Sequence, residues 1–137
     1  MTTNNEATEA IYARMVANLP TGWAASQVTF RNEPYDPPAT GPWLRMIVLW
    51  SDSQQQTLGK TGNRRYDRRG TILFQVFDTA GNGVQVTDGI VQHIRDMFEG
   101  VRADGVVYLD AQRRRIGVDG RWDQTNVEVA FYHEEVK

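Results

Sequence analysis

Apolar residues recur every four positions near the start of the chain, where Ala7, Ile11, Met15 and Leu19 form one stripe. That spacing predicts a helix over Glu6 to Leu19. Thr3 and Glu6 stand at capping-box distance, so the Thr3 side chain is expected to accept from the amide three residues on. Pro20 and Gly22 then stop the helix. Val28 to Phe30 follows as a short strand. From Asn32 to Pro42 the pattern gives way to Pro34, Pro37, Pro38 and Pro42. Each proline removes a backbone donor, so this stretch is an extended, semi-rigid connector and not a sheet interior.

Trp43 to Trp50 is the strongest strand signal. It is apolar on both faces except at Arg45, which predicts cover on both sides. Thr71 to Phe77 is a second strand, rich in Ile, Val and Phe. Between them lies Ser51 to Arg69, a polar run with Gly59 and Gly62. The two strands can pair as an antiparallel hairpin, but a tight hairpin takes only about two to five loop residues. The run is therefore read as a long polar arm, reaching outward and mobile in a free monomer.

Gly81 and Gly83 mark a turn before a second helix over Val84 to Glu99. Val86, Ile90, Ile94, Met97 and Phe98 share one face of it, with Val91 alongside. Gly89 costs this helix about 1 kcal/mol relative to Ala and is expected to mark close packing on the sheet. Gly100 suits the left-handed position just past the helix end. Val106 to Asp110 and Arg114 to Val118 are short strands, and Asp119-Gly120 is a hairpin-turn pair. Trp122 to Tyr132 ends in clean alternation, with Val127, Val129 and Phe131 against Glu128, Ala130 and Tyr132. The termini, about 1–5 and 133–137, are expected to be flexible. Layer logic makes this an α+β domain over 1–137: a mixed, mainly antiparallel β-sheet with two packed helices and a long arm at 51–69.

Bulk properties narrow the function. The length of 137 residues fits one domain with one core. A net charge of -2 argues against binding nucleic acid over the whole surface. With no cysteine there is no disulfide staple, thiolate zinc site or cysteine nucleophile. Met1 to Glu9 lacks the pattern of a signal peptide. No apolar stretch approaches the roughly 20 residues of a membrane span, so no membrane partner is expected.

Residue patterns that carry chemistry are weak. Gly59-Lys60-Thr61 looks like the end of a phosphate-binding loop, but the glycine needed earlier is replaced by Gln54, and the segment leads into a strand instead of a helix. A turn explains it better. His93 and His133 have no partner at metal-ligand spacing. Ser26, Ser51 and Ser53 lack a nucleophile elbow. Asp104, Asp110, Asp119 and Asp123 fall at turns, where aspartate bonds its local backbone. The expectation is no catalytic site, no metal and no cofactor.

Two basic clusters remain. One is Arg64, Arg65, Arg68 and Arg69 around Tyr66. The other is Arg113, Arg114 and Arg115 beside a turn, read as solvated. Arginine next to an aromatic side chain serves protein interfaces, holds phosphates and stacks bases, and it also occurs in plain solvated loops. The favoured reading of the first cluster is a protein interface. Its candidate residues are Gln56, Leu58, Arg64, Arg65, Tyr66, Arg68 and Arg69.

Several phrases in order carry a resemblance. They are Trp43-Leu44-Arg45 after the proline connector, Gln56-Thr57-Leu58-Gly59, Asn63-Arg64-Arg65-Tyr66, Arg69-Gly70, Phe74-Gln75-Val76-Phe77, the Gly81-x-Gly83 turn and the closing Val127-x-Val129-x-Phe131-Tyr132. Together they resemble the tail terminators of long non-contractile-tailed phages, over nearly the whole chain. The resemblance implies a structural, non-enzymatic protein of the virion tail, made in the host cytoplasm. It implies a ring, typically a hexamer, that caps the tail tube, stops its polymerisation and offers a head-joining surface. The implied partners are further copies of the chain, the tail tube protein and a head-completion or connector protein. DNA would pass through the ring without sequence-specific binding. Another neck or tail-completion ring protein is the neighbouring reading, and a nucleic-acid-binding module using the arm is the more distant one.

Overall fold

A computed structural model describes residues 3–30, 33–39 and 41–137. The elements in chain order are helix α1 (Asn4–Ala17), a 3-10 turn (Ala25–Gln27), β1 (Val28–Phe30), β2 (Trp43–Gln55), β3 (Arg65–Thr79), α2 (Gln85–Phe98), β4 (Arg102–Ala103), β5 (Val106–Asp119) and β6 (Trp122–Val136). The strands form one sheet in the order β1-β2-β3-β6-β5-β4. Among the described residues only β1 joins its neighbour in parallel, and the other pairings are antiparallel. The expected mixed, mainly antiparallel α+β architecture is the one observed. Within the proline connector, Asn32 and Thr40 lie outside the described residues.

Alternation decides which side of the sheet is buried. Leu44, Met46 and Val48 of β2 stand opposite Val76, Phe74 and Ile72 of β3. Phe74 and Ile72 in turn face Val127 and Val129 of β6. All of these lie in one core cluster with Ala7, Ile11 and Met15 of α1 and Ile90, Val91, Ile94, Met97 and Phe98 of α2. Both helices therefore cover the same face. Each large apolar side chain buried there contributes roughly 1.5–3 kcal/mol relative to exposure. Arg14 ties the helices together, donating through Nε to the Met97 carbonyl at 2.8 Å while lying over the rings of Phe98 and Tyr108. Burial pushes the Tyr108 phenol up to about 12, with the Arg14 charge opposing and Asp104 adding to the shift.

The local signals at the helix ends hold. The Glu6 amide donates to Thr3 Oγ1 at 3.2 Å and caps α1. Gly100 sits at φ 72 just past α2. Other expectations need correction. The helix α1 starts two residues earlier than the expected Glu6, at Asn4, and ends at Ala17, short of Leu19. Gly89 does not mark close packing: a Cβ there would meet nothing within 4 Å, because the residue faces outward. Val86 is also exposed, and Thr87 takes the buried place in the first turn of α2.

The expected cover on both faces of Trp43 to Trp50 is half right. Trp43 is buried on the face away from the helices, stacked on Phe77 at 4.2 Å and flanked by Tyr35 and Trp122. Further along that face Ile47 is only partly buried and Leu49 is exposed. Among its described residues the connector meets the start of the strand, where Tyr35 packs on Trp43. The two short strands expected around Ala111 are one, β5, with a bulge between Tyr108 and Ala111.

Candidate functional site

The polar arm is a ribbon, and most of it is not a loop. β2 continues past Trp50 to Gln55, and β3 begins at Arg65. Ser53, Gln54 and Gln55 pair with Arg68, Asp67 and Tyr66 after a bulge at Ser51-Asp52. The connecting tip shrinks to 56–64. The correction has a plain cause: backbone pairing supplies the bonds, so the strands need no apolar side chains. A third strand reinforces them. Residues 132–136 of β6 pair with Arg65 to Arg69, and Lys137 exchanges backbone bonds with Arg64 at 2.8 and 3.2 Å. The tail expected to fray at 133–137 is thus a strand of the arm.

Gly70 stands where the arm leaves the core. A Cβ on it would lie 2.6 Å from the Leu49 carbonyl oxygen and 2.7 Å from the Phe131 ring. The absent side chain lets Phe131 and Trp50 meet edge to face at 5.2 Å. His133, read from sequence as a tail residue, is buried against Trp50, with Nε2 3.0 Å from Asn4 Oδ1 at the start of α1. Only the continued alternation of β6, from Phe131 to His133, signals this in the sequence.

The arm arginines fall on both faces. Arg68 lies on the helix side, 3.3 Å from Glu135 and over the Tyr66 ring at 5.0 Å. On the opposite side Arg65 reaches Glu134 at 3.5 Å and Arg69 reaches Asp67 at 3.9 Å. Arg64 donates to Thr61 Oγ1 at the tip. Lys137 lies over Tyr66 at 5.6 Å. Three of the four arginines thus meet carboxylates of the arm itself, so it is a striped surface of both signs. Leu58 at the tip is 93% exposed, and Gln56 donates its amide to the Arg65 carbonyl where the tip begins. The structure brings Tyr66, Arg68 and Lys137 together and leaves Leu58 apart from them.

The remaining candidates for chemistry are scattered. Lys60 and Thr61 sit in the tip turn, where the Asn63 amide donates to the Lys60 carbonyl. His93 donates to the Asn18 carbonyl and so links the two helices. Among the described residues no group of three or more His, Cys, Asp or Glu could hold a metal ion. No helix among them is long and apolar enough to cross a membrane.

The geometry is thus a two-layer domain with one more open sheet face and a projecting, charge-striped ribbon. Residues 8–131 match the family model described as phage tail terminator protein, and the chain belongs to that family. It is accordingly a structural, virion-associated protein of phage tail assembly. One solved structure is similar over 100% of this chain and 99% of the other, with a TM-score of 0.70 at 15% identity. At that identity the likeness is one of fold. No curated protein matches.

Proposed function

We propose that the chain forms a ring that caps the head-proximal end of the tail tube, stops tube polymerisation and presents the head-joining surface. The hexamer of long non-contractile tails is the form this takes. The observation that carries the reading is the arm, together with the family match over residues 8–131. A three-stranded ribbon that leaves the core at Gly70 and ends in an exposed Leu58 is a reaching element with a firm base. Gln56, Leu58, Arg64, Arg65, Tyr66, Arg68 and Arg69 are its contact residues with a neighbouring subunit or the tube. The balance of charge along it favours a protein partner over DNA, which would pass through the ring without being read. The other partners are the tube protein and a head-completion or connector protein.

Phage lacking this chain should show over-long tails or tails unattached to heads by electron microscopy. Normal tail length and normal joining would sink the proposal. Another neck protein would leave tail length unchanged and lose only the joining.

A further inference from the structure

The sheet ends in two unpaired edges that match each other. β1 covers β2 only from Leu44 to Met46, and among the described residues nothing pairs with the outer edge of β2 from Ile47 to Gln55. On the far side β4 covers β5 only at Val106 and Val107, and the end of α2 caps the next few residues. Nothing among the described residues pairs with the outer edge of β5 from Gln112 to Asp119. Exposed backbone donors and acceptors of this length are a template for a further strand.

Their outward amides can be identified. The Gln56 amide points inward to the Arg65 carbonyl, so by alternation the amides of Ser53 and Gln55 point out. The Ala111 amide points outward to Glu99, so those of Arg113 and Arg115 do as well. Each edge therefore offers donors at the same two-residue spacing. Direction also fits. Three antiparallel steps separate β2 from β5, so they run in opposite directions. In copies related by rotation about an axis along the strands, β5 of one meets β2 of the next antiparallel.

Charge selects the partner edge. Asp52, in the β2 bulge, and Asp67 line an open groove of about 300 Å³ with Ser53, Gln54 and Arg69. Asp52 forms no ion pair among the described residues. On β5, Arg113 and Arg115 are held by Asp88 and Asp123, while Arg114 between them forms no ion pair among the described residues. Arg114 stands opposite Asn126, on the sheet face away from the helices, the same face as Gln54 and Asp67.

We infer that the β5 edge of one copy adds to the β2 edge of the next, with Arg114 seated in the Asp52-Asp67 groove, so that the sheet runs continuously from subunit to subunit. The contact is head-to-tail, as a ring requires. It rests on the ring reading for closure, and it names the surface that closes.

The chain has no cysteine, so introduced thiols report only themselves. Gln54→Cys and Arg114→Cys are made separately and treated with a short bis-maleimide that spans one residue step of register. Mixed, the two variants should give a covalent dimer. Each alone should give none, and both changes in one chain should give a ladder that stops at the ring number. Cross-linking of a single variant with itself would replace the head-to-tail contact with a two-fold one. Rings of normal mass by native mass spectrometry, with no cross-link in the mixture, would overturn the edge contact and leave the ring standing. Chains that stay monomeric with and without tail tubes would overturn both. In a second arm of the test, Asp52→Arg and Arg114→Asp should each weaken association at least tenfold. Mixing those two variants, or combining them in one chain, should restore it. Failure of that rescue, or stronger association from Arg114→Asp alone, would mean the arginines guard the edge instead of joining it.

Discussion

β2 and β3 each pass through two environments. From Trp43 to Trp50 and from Gly70 to Phe77 they alternate between a helix-covered core and a more open face. From Ser51 to Gln55 and from Arg65 to Arg69 they have the same backbone pairing but no core beneath them. One half is held by burial on top of hydrogen bonds. The other is held by the ladder itself, three strands wide, with ion pairs and stacked cations along it. Strand geometry alone therefore does not say how much a residue matters. The side chain's surroundings do.

The largest effect belongs to the core half. Phe74→Ala removes a fully buried ring that packs on Phe98 at 5.3 Å. It should cost about 3–5 kcal/mol in urea unfolding. The junction comes next. Gly70→Ala forces a methyl against a backbone oxygen that cannot swing away, and the loss should lie towards the upper end of about 1–3 kcal/mol by the same measurement.

Tyr108 tests the core by pH. Its phenol titrates at about 12 in the folded protein, above the ordinary value of 10.0. The folded state thus holds the proton more tightly than the unfolded chain does. The stability it contributes is complete below pH 10 and falls away as pH rises towards 12. The fall should be on the order of 2 kcal/mol. Tyr108→Phe should remove that part of the pH dependence in denaturant titrations run from pH 8 to 12.

The arm should answer weakly to the same assay. Arg68→Ala loses a partly buried pair with Glu135 and should cost under about 1 kcal/mol. Leu58→Ser, at the exposed tip, should change stability by less than about 0.5 kcal/mol. Yet Leu58→Ser should lower the yield of joined particles by electron microscopy if the tip is a contact. A stability loss from the Leu58 change as large as that from Gly70→Ala would erase the distinction between the halves.

The same contrast explains what the sequence could and could not reveal. α2, the core parts of β2 and β3, and Trp122 to Tyr132 were legible because burial imposes periods of 3.6 and 2 on their apolar residues. Ser53 to Gln55 and Arg65 to Arg69 were not, because no apolar core lies against the ribbon to impose such a pattern. β5 reads as two strands for a similar reason: Gln112 to Arg115 is exposed edge strand, and arginine triplets look like a turn's surroundings. Gly89 misled in the opposite direction, since a glycine in a helix suggests close approach and here faces open space. The candidate arm residues were legible as a cluster. Their division between two faces, and the acidic partners from β6, needed the register of a strand about 67 residues away in sequence, as in Arg68 and Glu135.

That register has a consequence for how the molecule is made. β6 lies between β3 and β5 yet is translated after both. Until it emerges from the ribosome, the β2-β3 hairpin has no strand on its inner edge, and among the described residues β5 has no strand beside it but the two residues of β4. The sheet can close only when its middle is threaded in last, a non-local step of the kind that slows folding. A nascent chain stalled before Trp122 would carry four open edges instead of two. Completing β6 is thus the event that turns a sticky intermediate into a subunit with only the two outer edges left exposed.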